Sequence, residues 1–228
     1  GGTFISNIHK IKGTLPAGAA DFNGDGKTDL MVYTVSTAPP VKASLSLRTN
    51  TGFPQFTHKT YIKPQYIKDI SQARFRDMNG DGAVDAIICG TGSSAPVEVY
   101  INDVKKTGTF TRKWGSTNYK GNCLGLDIRD LDNDGFLDIV ATLQLTATSA
   151  KPIRVVLMRS NGSSTTFSES QLVNITQTSD ALGTVVGDLD GGLSRGIWIK
   201  NSADGVTVKN IGLLRGFMSG VVVQGAKR

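Results

Sequence analysis

Asp77-Met78-Asn79-Gly80-Asp81-Gly82-Ala83-Val84-Asp85 puts an oxygen-bearing side chain at positions 1, 3, 5 and 9 of a nine-residue stretch. The same pattern is spelled by Asp21-Phe22-Asn23-Gly24-Asp25-Gly26-Lys27-Thr28-Asp29 and by Asp130-Leu131-Asp132-Asn133-Asp134-Gly135-Phe136-Leu137-Asp138. A hard cation such as calcium takes six to eight oxygen ligands, and alternate residues of a tight loop can aim several of them at one point. Glycine at position 6 permits the sharp turn this requires. The spacing therefore predicts three Ca2+ sites. Their side-chain ligands are Asp21, Asn23, Asp25 and Asp29; Asp77, Asn79, Asp81 and Asp85; and Asp130, Asp132, Asp134 and Asp138. The backbone carbonyls of Lys27, Ala83 and Phe136 complete each set.

The loops recur. They open at Asp21, Asp77 and Asp130, and at a similar interval beyond the third lies Asp188-Leu189-Asp190-Gly191-Gly192-Leu193-Ser194-Arg195-Gly196. In this fourth stretch positions 5 and 9 are glycine, so it is expected to keep the turn and hold no ion. A regular period of roughly 50 residues points to a repeat architecture such as propeller blades. An EF-hand would need a carboxylate at position 12 and flanking helices. Position 12 here is Val32, Ile88 or Ala141, and the flanks are short apolar, β-branched runs such as Asp85–Cys89 and Asp138–Thr142. These read as strands.

Each period then holds four strands. Strand A precedes the loop (Ile70–Arg76, Cys123–Arg129, Leu182–Gly187) and strand B follows it. Strand C covers Val41–Arg48, Val97–Ile101 and Ile153–Met158. Strand D begins after a turn at Gly52-Phe53, Gly108–Phe110 and Ser164–Phe167. Four short antiparallel strands per repeat describe a propeller blade. The expectation is an all-β chain, a single domain over 1–228 with about four blades: a stretch of a larger propeller, or a processed product, rather than a complete four-bladed ring. Gly1–Ser6 reads as a strand D lacking its partners. Met218–Gln224 reads as a closing strand of the fourth blade or as a further strand A.

These loops and strands resemble the FG-GAP repeat, called VCBS in bacterial proteins and shared by the integrin α-subunit propeller and several fungal and bacterial lectins. The phenylalanine-glycine and glycine-alanine-proline signatures that name the family are reduced here to Gly90 and Ala95-Pro96. The resemblance implies a calcium-bearing propeller whose ligands meet the face opposite the calcium loops, or bind between blades.

The rest of the sequence bounds the function. No apolar run approaches the length of a membrane span, about 18 residues or more. Cys89 and Cys123 read either as a pair joining two strand ends or as two buried free thiols, and the thiol reading is preferred because unpaired cysteines behave as small hydrophobes. Asn161-Gly-Ser163 and Asn174-Ile-Thr176 are glycosylation acceptor triplets, which together with millimolar-range calcium loops suggest an extracellular or secreted protein. The formal charge is +6, only two glutamates occur, Glu98 and Glu169, and three calcium ions would raise the charge to about +12. Such a field attracts acidic partners.

Recognition is expected on the D–A crossovers, Thr60–Lys68 and Lys113–Lys120, through Tyr61, Lys63, Tyr66, Lys68, Trp114, Tyr119 and Lys120. Irregular loops on a rigid scaffold commonly carry binding, and Tyr and Trp give contact area at low entropic cost. His9 and His58 are the only histidines, and no nucleophile elbow, P-loop or zinc spacing accompanies them. The expectation is a non-enzymatic protein for adhesion or protein recognition. A lectin of the same fold is the alternative, and the scaffold part of a polysaccharide-active enzyme a remote one.

Overall fold

The computed structural model describes residues 15–35, 43–53, 55–91, 94–103, 108–145, 153–163, 165–175, 184–188, 195–200 and 221–224. Among these every regular element is a strand, and no helix is long and apolar enough to cross a membrane. Three sheets repeat one plan. The first is β1 (Leu15–Ala20), β2 (Asp29–Val35), β3 (Ala43–Gly52) and β4 (Gln55–Ile62). The second is β5 (Asp69–Arg76), β6 (Asp85–Thr91), β7 (Val97–Asn102) and β8 (Phe110–Gly115). The third is β9 (Gly121–Arg129), β10 (Asp138–Leu145), β11 (Ile153–Ser160) and β12 (Phe167–Ile175). Within each, strands pair in chain order and antiparallel. The four-strand period is therefore as the sequence predicts.

The fourth sheet departs from the plan. β13 (Thr184–Asp188) and β14 (Arg195–Lys200) pair antiparallel, but β15 (Val221–Gln224) runs parallel to β14, with Ile197 opposite Val221. β15 is thus the third strand of this sheet, where a blade would place an antiparallel one. A parallel neighbour requires a crossover of a dozen or more residues, and the chain between 200 and 221 is long enough to make it. Gly1–Ser6, and the part of the Asp188 stretch between 189 and 194, lie outside the described residues.

Sheets pack side by side through their first strands, β1 against β5, β5 and β6 against β9, and β9 against β13. One apolar cluster joins the first two sheets, with Phe22, Met31, Leu45, Leu47, Ile88 and Tyr100 buried in it. Another joins the second and third, including Ile87, Val97, Val99, Leu126, Ile139 and Met158. The second sheet is covered on both faces. That is why β6 and β7 read as continuous apolar runs and not as alternating ones: all residues of β7 and all but Thr91 of β6 are buried. Gly18 permits the approach of β1 to β5, since a Cβ there would lie 2.5 Å from the Phe75 ring.

Two expectations are corrected. Cys89 and Cys123 form a disulfide, with Cα atoms 5.5 Å apart. The direct packing of β6 on β9 brings together thiols that the linear sequence separates by 34 residues. The crossovers are also shorter than expected. Thr60 and Tyr61 belong to β4, and Lys113 and Trp114 to β8. The irregular segments proper are Lys63–Lys68 and Ser116–Lys120.

Candidate functional site

The three acidic loops share a construction that the ligand spacing alone did not reveal. Position 2 is an apolar residue buried in the core, namely Phe22, Met78 and Leu131. Its backbone N–H donates to the carboxylate at position 9: Phe22 to Asp29 at 3.1 Å, Met78 to Asp85 at 2.8 Å and Leu131 to Asp138 at 3.0 Å. The other oxygen of that carboxylate accepts the N–H at or near the end of the third strand. Asn50 donates to Asp29 at 2.8 Å, Asn102 to Asp85 at 2.8 Å and Ser160 to Asp138 at 2.9 Å. All three aspartates are fully buried. Each therefore ties its loop to the neighbouring hairpin, a structural duty beside any metal contact.

Around this anchor the loops fold as nested turns. The position 1 carboxylate accepts amide hydrogens from the glycines at positions 4 and 6 in the first two loops: Gly24 and Gly26 at 2.7 and 2.8 Å, and Gly80 and Gly82 both at 2.7 Å. In the third loop Gly135 donates to Asp130 at 3.1 Å. Position 5 accepts the N–H two residues on in every loop. Positive φ values at Gly26, Gly82 and Gly135 account for glycine at position 6. In the third loop, where position 3 is a carboxylate, oxygens of Asp130, Asp132 and Asp138 all lie within 4.8 Å of one another. A donor set made wholly of oxygens suits a hard cation. Arg159 stands 3.3 Å from Asp132 and offers that carboxylate a competing positive charge.

Burial pushes the carboxyls of Asp29 and Asp138 up from their ordinary value, and that of Asp85 up to about 6. The backbone amides oppose this, and the other loop carboxylates add to it. A cation in the loop would act in the opposite direction, because an opposite charge favours the ionised form.

The expected recognition residues separate into groups. Tyr66, Trp114 and Lys120 line one cleft of roughly 580 Å³ beside β8. Tyr61 is exposed but sits on β4, where its ring meets His58 at 4.2 Å and Lys63 at 5.8 Å. Tyr119 packs against the core beside the second and third sheets. Trp114 is half-buried, 4.9 Å from the ring of Phe167, so its area serves largely to join the second sheet to the third. Lys68 is bound through its backbone, to Thr91 and Ala43. Asn161 is exposed in the turn between β11 and β12, whereas Asn174 lies within β12.

Glu98 and Arg112 were missed. Glu98 is fully buried, and its carboxylate accepts the N–H groups of Gln65 and Tyr66 at 3.1 and 2.9 Å and the Tyr100 hydroxyl at 2.6 Å. Arg112 Nε lies 3.4 Å from it, and the guanidinium stands over the Tyr66 ring at 4.9 Å. Burial and the Glu98 hydrogen bond both push the Tyr100 phenol upward. Glu169 does the same service for the next crossover, accepting the N–H of Thr117 at 2.8 Å and of Asn118 at 3.3 Å. The only two glutamates of the chain thus pin the two crossovers. A charge inside the apolar run Val97-Glu98-Val99 was the available signal.

Residues 77–141 match the family model of the FG-GAP-like repeat. That segment is similar to an FG-GAP-like repeat. The match begins at position 1 of the second loop and ends just past the third, so the matched segment takes in two acidic loops and the strands β6 to β9 between them. The first loop repeats the same hydrogen bonds outside the matched segment. No match was found among curated proteins or among solved structures.

Proposed function

We propose that the chain is a calcium-stabilised β-propeller, or an arc of one, that recognises a macromolecular partner outside the cell and performs no catalysis. The observation that carries this reading is the thrice-repeated acidic loop, held open by the same amide bonds each time, with three carboxylates converging in the third. Packing of successive sheets through their first strands supports blades about a common axis. The disulfide supports export, since such bonds persist mainly in oxidising compartments.

Asp21, Asn23, Asp25 and Asp29 would hold one ion, Asp77, Asn79, Asp81 and Asp85 a second, and Asp130, Asp132, Asp134 and Asp138 a third. The carbonyls of Lys27, Ala83 and Phe136 would add one oxygen apiece. The ion supplies no reaction. It neutralises carboxylates that otherwise repel one another, and so fixes the end of each sheet.

At ~1 mM calcium and a dissociation constant of ~0.1 mM, each site would contribute about 1.4 kcal/mol of stability. Calorimetry should find three ions per chain, and chelation at low salt should lower the melting temperature. Unchanged melting after chelation would overturn the calcium reading, and a fourth ion would overturn the expectation that the Asp188 stretch is empty.

A further inference from the structure

The cleft beside β8 has a composition of its own. Arg112, Lys113 and Lys120 line it, and no carboxylate stands among the described lining residues. Ser94 and Thr117 add exposed hydroxyls, and Tyr66 adds an exposed ring. Its volume of roughly 580 Å³ falls within the range of small-ligand sites.

The walls are fixed from behind. The Glu98 carboxylate holds the backbone of Gln65 and Tyr66 on one side, and the Glu169 carboxylate holds Thr117 and Asn118 on the other. Arg112 is clamped between Glu98 and the Tyr66 ring. The charge of Arg112 is therefore largely answered from within the protein. The ammonium groups of Lys113 and Lys120 are not held in this way: both residues are exposed, and among the described residues neither makes an ion pair. A preorganised cleft with solvated cations at its mouth and hydroxyls beside them suits a ligand that carries both anionic groups and many hydroxyls.

We infer that this cleft binds an acidic sugar unit, sulfated or carboxylated, of a glycan chain. Lys113 and Lys120 meet the sulfate or carboxylate, Ser94 and Thr117 the ring hydroxyls, and Tyr66 the apolar edge of the ring. Glu98 is a positioning residue that sets Tyr66 and Arg112. An acidic peptide would satisfy the lysines but offers the two hydroxyls fewer partners than a ring that carries several hydroxyls of its own. The inference rests on the recognition half of the proposed function and not on its calcium half.

The test titrates the full chain, in calcium, with a heparin tetrasaccharide, a carboxylate-only uronate oligosaccharide, a neutral oligosaccharide of equal length and polyglutamate. Either acidic oligosaccharide should bind and the neutral one should not; the two acidic sugars distinguish sulfate from carboxylate. The double variant Lys113→Ala/Lys120→Ala should weaken binding at least tenfold with its melting temperature unchanged. The variant Lys59→Ala/Arg76→Ala removes the same charge from exposed positions outside the cleft and should change affinity less than twofold. Equal losses in the two double variants would mean diffuse charge attraction, and would overturn the site. So would binding of polyglutamate as tight as that of the sugars, or no binding of either acidic sugar. If chelation leaves melting unchanged while the lysine variants still lose binding, the calcium reading fails and the cleft stands.

Discussion

Replacing Asp85 by alanine should destabilise the protein by about 3–6 kcal/mol, the sum for two hydrogen bonds to a charged acceptor at about 1.5–3 kcal/mol each. The loss should appear in chelator as well as in calcium. Two buried backbone N–H groups, those of Met78 and Asn102, would lose that acceptor, and a buried donor left without a partner is costly. Asp85→Asn should fall between the two, because the amide offers one acceptor and turns a donor toward the second N–H. Asp81→Ala, in the same loop but closer to water, should cost less than about 1 kcal/mol in chelator and show its main effect only in calcium. Urea unfolding of the three variants, with and without calcium, separates anchoring from metal binding. Equal losses for Asp81→Ala and Asp85→Ala in chelator would mean that position 9 has no special structural duty.

The second large effect belongs to the disulfide. Joining Cys89 to Cys123 closes a loop across two sheets. For a closure of 34 residues the chain-entropy treatment gives about 4 kcal/mol. The double variant Cys89→Ala/Cys123→Ala should therefore unfold at markedly lower urea concentration, and the oxidised parent should lose the same stability when reduced. Both sulfurs are buried among Val97, Leu126 and Leu143 in one apolar cluster, so reduction should be slow until the sheets part. Rapid reduction in native buffer, or a double variant as stable as the parent, would contradict the staple.

The two effects act at opposite ends of the strands. Asp85 begins β6 at the acidic loop, whereas Cys89 lies toward its far end. Losses from Asp85→Ala and from the cysteine pair should therefore combine nearly additively, as expected for sites that share no partner.

Much of this was legible in the residues. The one-three-five-nine pattern needs only local chain geometry, because side chains a few positions apart in a tight turn converge without help from elsewhere. Recurrence of the loop marked the period, and the apolar runs after each loop marked the second strands. The covered middle sheet could be suspected from Ala86–Cys89 and Val97–Ile101, where polar residues fail to alternate. What pairwise packing added was not local. Asn102 donates its side-chain amide to the carbonyl of Phe22, 80 residues away. The partner of Cys89 depends on which strand lies across from β6. The seven expected recognition residues could be placed near crossovers by sequence, but whether each faced water depended on the neighbouring sheet: Tyr66 and Lys120 reach a cleft, while Tyr119 and much of Trp114 are taken by the core.

By itself, then, the sequence determined the acidic loops, their spacing and the four-strand rhythm, because each is written in contiguous residues whose geometry is set by the backbone between them. Only the tertiary structure decided that the aspartate at position 9 anchors its loop to the end of the third strand, at Asn50, Asn102 and Ser160, that the two cysteines join, that the fourth sheet takes a parallel third strand, and that two glutamates pin the crossovers around one basic cleft. These depend on which strands lie side by side, and in a β protein that is fixed by long-range packing of apolar faces, which no window of neighbouring residues contains.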